Sequence, residues 1–148
     1  MPRRQLWFFQ FGCWTTIVTA VVHLAGHLMP QSPPANDTER QLLQLATTYR
    51  FTLPGGAQRS TVDVLDGFTL SFALLLAGIG AAGLVVHKRG REDATLMTGV
   101  ARALAVTSVA LTIISLTNFF IVPTLFIAVM AICFLVASVE SPVVSPGD

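Results

Sequence analysis

Four stretches of roughly 20 apolar residues, at about 1.5 Å of helical rise each, match a hydrocarbon core about 30 Å thick. No other feature limits the fold of this chain as tightly. The stretches occupy residues 6–29, 67–87, 96–117 and 123–139. The expected fold is therefore all-α: a polytopic membrane protein in which four transmembrane helices form an antiparallel bundle as a single domain over residues 1–148. Only 11% of the residues are charged, whereas a soluble domain carries about a quarter. A formal net charge of +1 without a basic run leaves no footprint for nucleic acid, so the expected partner is the lipid bilayer, with other membrane subunits or a second copy as further partners.

Arg3 and Arg4 precede the first hydrophobic run, as in a secretory signal. The run is longer than a signal core and lacks a clear A-x-A site, so it reads as an uncleaved first span. Gln-Leu-Trp after the arginine pair is also a poor continuation for a twin-arginine signal. Orientation follows the cationic residues, which short loops retain on the cytoplasmic side. With both termini inside, Arg3, Arg4, Lys88, Arg89, Arg91 and Arg102 are cytoplasmic, against Arg40, Arg50 and Arg59 outside. The expectation is N-in and C-in.

The outside loop, residues 30–59, is the one sizeable soluble element. Asn36 with Glu39 three residues on offers a capping box, and Leu42, Leu45, Ala46 and Tyr49 recur at helical spacing. A short amphipathic helix over about 37–49 is predicted, serving either as a plug on the bundle or as a lid over a pocket. Pro54-Gly55-Gly56 breaks the chain, and Ser60 with Asp63 is a second capping signal, which opens span two. Pro123 is placed as the first residue of the last helix. Two small-residue stripes, Ala73, Ala77 and Ala81 with Gly78 and Ala82 on span two, and Ala101, Ala105, Ser108, Thr112 and Ser115 on span three, are assigned to close helix packing.

His23 and His27, four apart on span one, leave the helix on one side, with Thr15 and Thr19 continuing the stripe inward. Arg50 and Arg59 of the loop, Asp63 and Asp66 at the start of span two, and Asn118 at the end of span three fall at the same outer mouth. The candidate binding cluster is His23, His27, Arg59, Asp63, Asp66 and Asn118, and no catalytic residue is assigned. Two histidines at i and i+4 with a carboxylate suit a zinc, copper or iron ion. No H-E-x-x-H motif or cysteine cluster supports a metal, and the plain reading has His23 hydrogen-bonded between helices and His27 at the headgroups. A haem would need His87 as its second axial ligand within one chain, and that residue lies about 25 Å from His23 along the span. No cofactor is predicted; a metal, or a haem held between two subunits, is the alternative.

Cys13 and Cys133 fall at similar depth on spans one and four and read as packed thiols rather than a redox pair. Trp7, Phe8, Phe9, Phe11 and Trp14 read as an interfacial aromatic anchor that grades into helix packing.

The segment Arg59-Ser60-Thr61-Val62-Asp63, followed by Gly67-Phe68, resembles the R-S-x-x-D-x-x-x-G-F motif that opens span two in an uncharacterised family of small bacterial four-span membrane proteins. Phe51 and Gly55 in the loop, and Phe119-Phe120 before Pro123, extend the likeness. The resemblance implies a bacterial cytoplasmic membrane and no particular activity. Within the motif, Arg59 and Asp63 are four apart across a helix start, Ser60 can cap it, and Gly67 is read as a point of close approach. The expected function is that of a non-catalytic membrane component, an accessory subunit or a small-lipid-binding protein. The alternative is a membrane redox or metal-dependent enzyme subunit working through the outer His/Asp cluster with a metal, haem or quinone.

Overall fold

The structure, a computed structural model, describes residues 3–30, 32–89 and 93–139. Four long apolar helices dominate it: α1 (Arg3–Leu28), α3 (Thr61–Arg89), α4 (Ala94–Asn118) and α5 (Ile121–Ser138). Each is long and apolar enough to cross a membrane. Between α1 and α3 lie the short helix α2 (Asp37–Thr48) and two three-residue strands, β1 (Arg50–Thr52) and β2 (Gln58–Ser60).

The helices pack as an open row in the order α3, α1, α5, α4, and α3 and α4 barely meet. Seating is fixed by small residues. A side chain at Gly80 would collide with the Ile17 side chain at 2.6 Å and the Cys13 carbonyl oxygen at 2.8 Å, and one at Gly83 with the Cys13 sulfur at 2.5 Å. Where lipid gives helices no hydrophobic reason to associate, such backbone approach supplies the dispersion contacts that hold α1 to α3. Gly12 plays the same part between α1 and α5, facing Phe134 and Cys133. On α4 the stripe Ala101, Ala105, Ser108 and Ser115 is buried as the spacing predicts. The stripe on α3 needs correction: Ala73 is buried, but Gly78, Ala81 and Ala82 are exposed and the packed face runs through Leu76, Gly80, Gly83 and His87. Small residues lie on both sides of α3, and composition alone does not say which side is used.

A buried core lies toward the Arg3 end of α1, where Phe9 and Cys13 of α1, Met97, Ala101 and Ala105 of α4, and Met130, Phe134 and Ala137 of α5 belong to one cluster joined through α5. Phe9 is thus a core residue rather than part of a surface anchor; it sits edge-on to Phe134 with centroids 5.9 Å apart and stacks on His87 at 6.3 Å. Trp7 and Phe11, stacked at 5.2 Å, remain on the exposed side. Both cysteines are free and buried, Cys13 against Gly83 and Cys133 against Gly12.

At the opposite end, the Ser115 and Thr124 hydroxyls pair at 2.7 Å across the α4–α5 turn, and Thr124 donates onward to the Phe120 carbonyl at 3.1 Å. This buried pair satisfies two polar groups that lipid cannot. Pro123 is the third residue of α5, not the first. It is still within the turn whose N–H groups have no helical acceptor, so its missing N–H costs nothing there.

The loop contains a hairpin that sequence reading leaves as a chain break. β1 and β2 are antiparallel, with Arg50 opposite Ser60, Phe51 opposite Arg59 and Thr52 opposite Gln58. Leu53-Pro54-Gly55-Gly56 closes it: Gly55 and Gly56 take φ of +93° and +85°, and the Gly56 N–H donates to the Leu53 carbonyl at 3.0 Å. Proline followed by a residue at positive φ is the requirement of a type II turn, which Gly55 meets without strain.

Candidate functional site

The candidate mouth is built by the end of α1 and the beginning of α3, brought side by side because the two helices are antiparallel neighbours. His27, in the last turn of α1, places its Nε2 3.8 Å from the Asp66 carboxylate in the second turn of α3. Both side chains keep some exposure, 24% and 49%, so water screens the contact between them. One turn deeper, His23 lies edge-on to Phe72 of α3 with ring centroids 5.3 Å apart. Its Nε2 is buried and has no hydrogen-bond partner among the described residues. The interhelical polar contact read for His23 is therefore made by His27, while His23 itself makes an aromatic contact.

Asp63 belongs to a different unit. Its carboxylate accepts from the Ser60 N–H at 2.9 Å, and the Ser60 hydroxyl accepts from the Asp63 N–H at 3.1 Å, a reciprocal capping box that satisfies two donors at the start of α3. Arg50, across the hairpin, approaches the same carboxylate at 3.8 Å. Arg59 turns to the Gln58 carbonyl at 2.8 Å and acts on Asp63 only through its charge. Asp63 precedes the apolar stretch that opens at Gly67, so water reaches it. Its carboxyl is held below the usual carboxylate range, first by the Ser60 N–H, next by the Ser60 hydroxyl, and then by Arg50 and Arg59.

A lowered carboxyl pKa in the folded state stabilises it at pH values above the ordinary carboxylate range, and that contribution disappears as pH falls through the lowered value. Ser60→Ala, which removes a buried cap, is expected to cost about 1 kcal/mol. Asp63→Ala is expected to lower the thermal midpoint and speed loop proteolysis at neutral pH, with the difference from the parent shrinking as the buffer is acidified. A difference that stays constant with pH would show that the carboxylate is not the stabilising group.

Asn118 does not join these residues. Its amide donates to the Ile114 carbonyl at 2.9 Å and the Thr117 hydroxyl at 2.8 Å on its own helix. The six candidates thus divide into His23, His27 and Asp66 on the α1–α3 seam, Arg59 and Asp63 at the hairpin, and Asn118 alone on α4. Thr19, expected to extend the histidine stripe, instead donates to the Thr15 carbonyl at 2.7 Å and faces the Met130 sulfur at 3.7 Å on α5. Gly67 is not a contact either: a side chain there would meet open space, and Phe68 is exposed. Sequence reading passes over Phe72 as a partner for His23 and assigns Arg50 no ion pair with Asp63; the hairpin register is the signal that would have placed Arg50 beside Ser60.

Among the described residues no group of three or more histidine, cysteine or acidic side chains is arranged to hold a metal ion. Chemically, the seam offers one imidazole–carboxylate contact and one buried imidazole nitrogen. No protein-family model, curated protein or solved structure matches the chain.

Proposed function

We propose that the chain is a non-catalytic, multi-pass component of a bacterial cytoplasmic membrane, with both termini inside, and that it serves as an accessory subunit of a larger membrane complex. The observation that carries this reading is the open row. Only 22% of the apolar window of α3 and of α4 is buried within the chain, against 39% for α1 and α5. The two outer helices therefore present most of their surface to whatever surrounds them. Meanwhile the outer polar groups are engaged inside the chain: His27 on Asp66, Asp63 on Ser60 and Arg50, Asn118 on its own helix. Small-lipid binding along the same open faces is the variant of this reading that needs no second polypeptide.

One observation favours a second reading. The buried, unpartnered Nε2 of His23 is the kind of group that a metal, haem or quinone would occupy in a redox or metal-dependent enzyme subunit.

A single preparation tests both readings. The protein is extracted from host membranes in mild detergent, and its particle mass, polypeptide content, metal content and visible spectrum are measured on the same sample, for the parent and for His23→Gln. A discrete particle containing a second polypeptide, with no stoichiometric metal or chromophore and no change in His23→Gln, is expected. A chain that elutes alone would withdraw the subunit reading. A stoichiometric group that is lost from folded His23→Gln would establish the enzyme reading.

A further inference from the structure

The short helix α2 is amphipathic, yet the protein does not cover it. None of its residues is buried, and Leu42, Leu45 and Tyr49, its C-cap, are 67%, 61% and 60% exposed. At about 100° of rotation per residue these three share an arc of roughly 60°. The opposite side carries Asp37 and Arg40, ion-paired at 3.0 Å, with Gln44, while Gln41 flanks the apolar arc. Ala46, beside the apolar arc, is the one residue of α2 that is even half-buried. The helix thus touches the rest of the chain along a narrow line and does not plug the bundle.

The position of α2 says what lies against its open face. Tyr49 alone separates α2 from β1, β2 runs into α3 without an intervening residue, and α2 rests on β2 and α3. The 29 residues of α3 extend about 43 Å, beyond a hydrocarbon core of about 30 Å. The capped first turn, with Ser60 and Asp63, therefore stands in the headgroup layer, and α2 is tethered to it. Leu28 and Met29 at the end of α1, and Leu65 and Phe68 near the start of α3, are exposed at the same end of the bundle. The uncovered apolar face of α2 thus stands at the same end of the bundle as these exposed apolar side chains.

We propose that α2 lies in the outer leaflet, with Leu42, Leu45 and Tyr49 inserted at the boundary between headgroups and acyl chains. Asp37 and Glu39 outnumber Arg40, so insertion rests on apolar burial and not on attraction to anionic lipid. The bilayer then completes the fold of the loop, holding the hairpin against α3 above the His27–Asp66 pair.

The test is site-directed nitroxide labelling of Leu45→Cys and Gln44→Cys in phosphatidylcholine vesicles; Cys13 and Cys133, 0% and 3% exposed, are out of reach of the label. At position 45, collisions with oxygen should exceed those with a water-soluble nickel chelate several-fold, and at position 44 the order should reverse. Doping the vesicles with phosphatidylglycerol should leave both ratios unchanged. Free access of the nickel chelate to position 45 would place the helix in water and overturn the proposal. Protection of position 45 from both reagents would show that protein covers the face and would overturn it equally. So would insertion that occurs only with phosphatidylglycerol present.

Discussion

Gly80→Leu is expected to separate α1 from α3 and to cost at least about 3 kcal/mol, the upper end of what overpacking costs a tight interior. The reason is the identity of the atoms in the way. A new side chain would meet the Cys13 carbonyl oxygen at 2.8 Å as well as Ile17. Ile17 can change rotamer, but a backbone carbonyl held in a helix cannot move without moving α1. Gly78→Leu, two residues away on the lipid-facing side, meets nothing within 4 Å. It should be neutral or stabilising, because leucine is a better helix former than glycine by about 0.8 kcal/mol. Unfolding in mixed micelles, followed by circular dichroism, separates the two. Equal losses would mean that the α1–α3 seating is not as described.

The orientation proposed for the chain predicts an all-or-none result. In intact cells, a membrane-impermeant maleimide is expected to label a cysteine introduced at Gln44 and to spare one introduced at Gly90 until the membrane is opened. The argument is electrostatic: Lys88, Arg89 and Arg91 share one short connection, and short cationic loops resist translocation. The cationic residues outside, Arg40, Arg50 and Arg59, belong to a longer segment where charge weighs less, and two of them face Asp37 and Asp63 at 3.0 and 3.8 Å. Labelling of position 90 alone from outside would invert the topology, and with it the side on which His27 and Asp66 lie.

What the sequence makes legible follows the range of the forces involved. The spans announce themselves because a bilayer imposes length and polarity on contiguous residues. Helix α2 is readable because its cap, Asn36 with Glu39, is local: the Glu39 N–H donates to Asn36 at 2.9 Å. The hairpin is not readable in the same way. Arg-Phe-Thr and Gln-Arg-Ser are too short to show a period of two, and their pairing is decided by the turn at Gly55 and Gly56. The packing face of α3 is hidden for another reason: Gly78 and Gly80 are chemically alike, and only the position of α1 distinguishes them. At the candidate mouth, proximity of His27 to Asp66 follows from antiparallel neighbours, but the isolation of Asn118 depends on α4 lying at the far end of the row. Neighbour order in a bundle is a long-range property that hydropathy does not encode.

That order also sets a timetable for the growing chain. The two inner helices of the row are α1 and α5, in chain order the first and the last of these four. Once α3 emerges it can close on α1 through Gly80 and Gly83. When α4 follows, α3 offers it almost no surface, and its natural neighbour does not yet exist. The stripe from Ala101 to Ser115 lacks its main partner until Ile121–Ser138 has been synthesised and has folded back across the Ser115–Thr124 hydrogen bond. The bundle is thus two helix pairs, α1 with α3 and α4 with α5, joined along α1 and α5, so a ribosome that stops before α5 leaves α4 without its main partner.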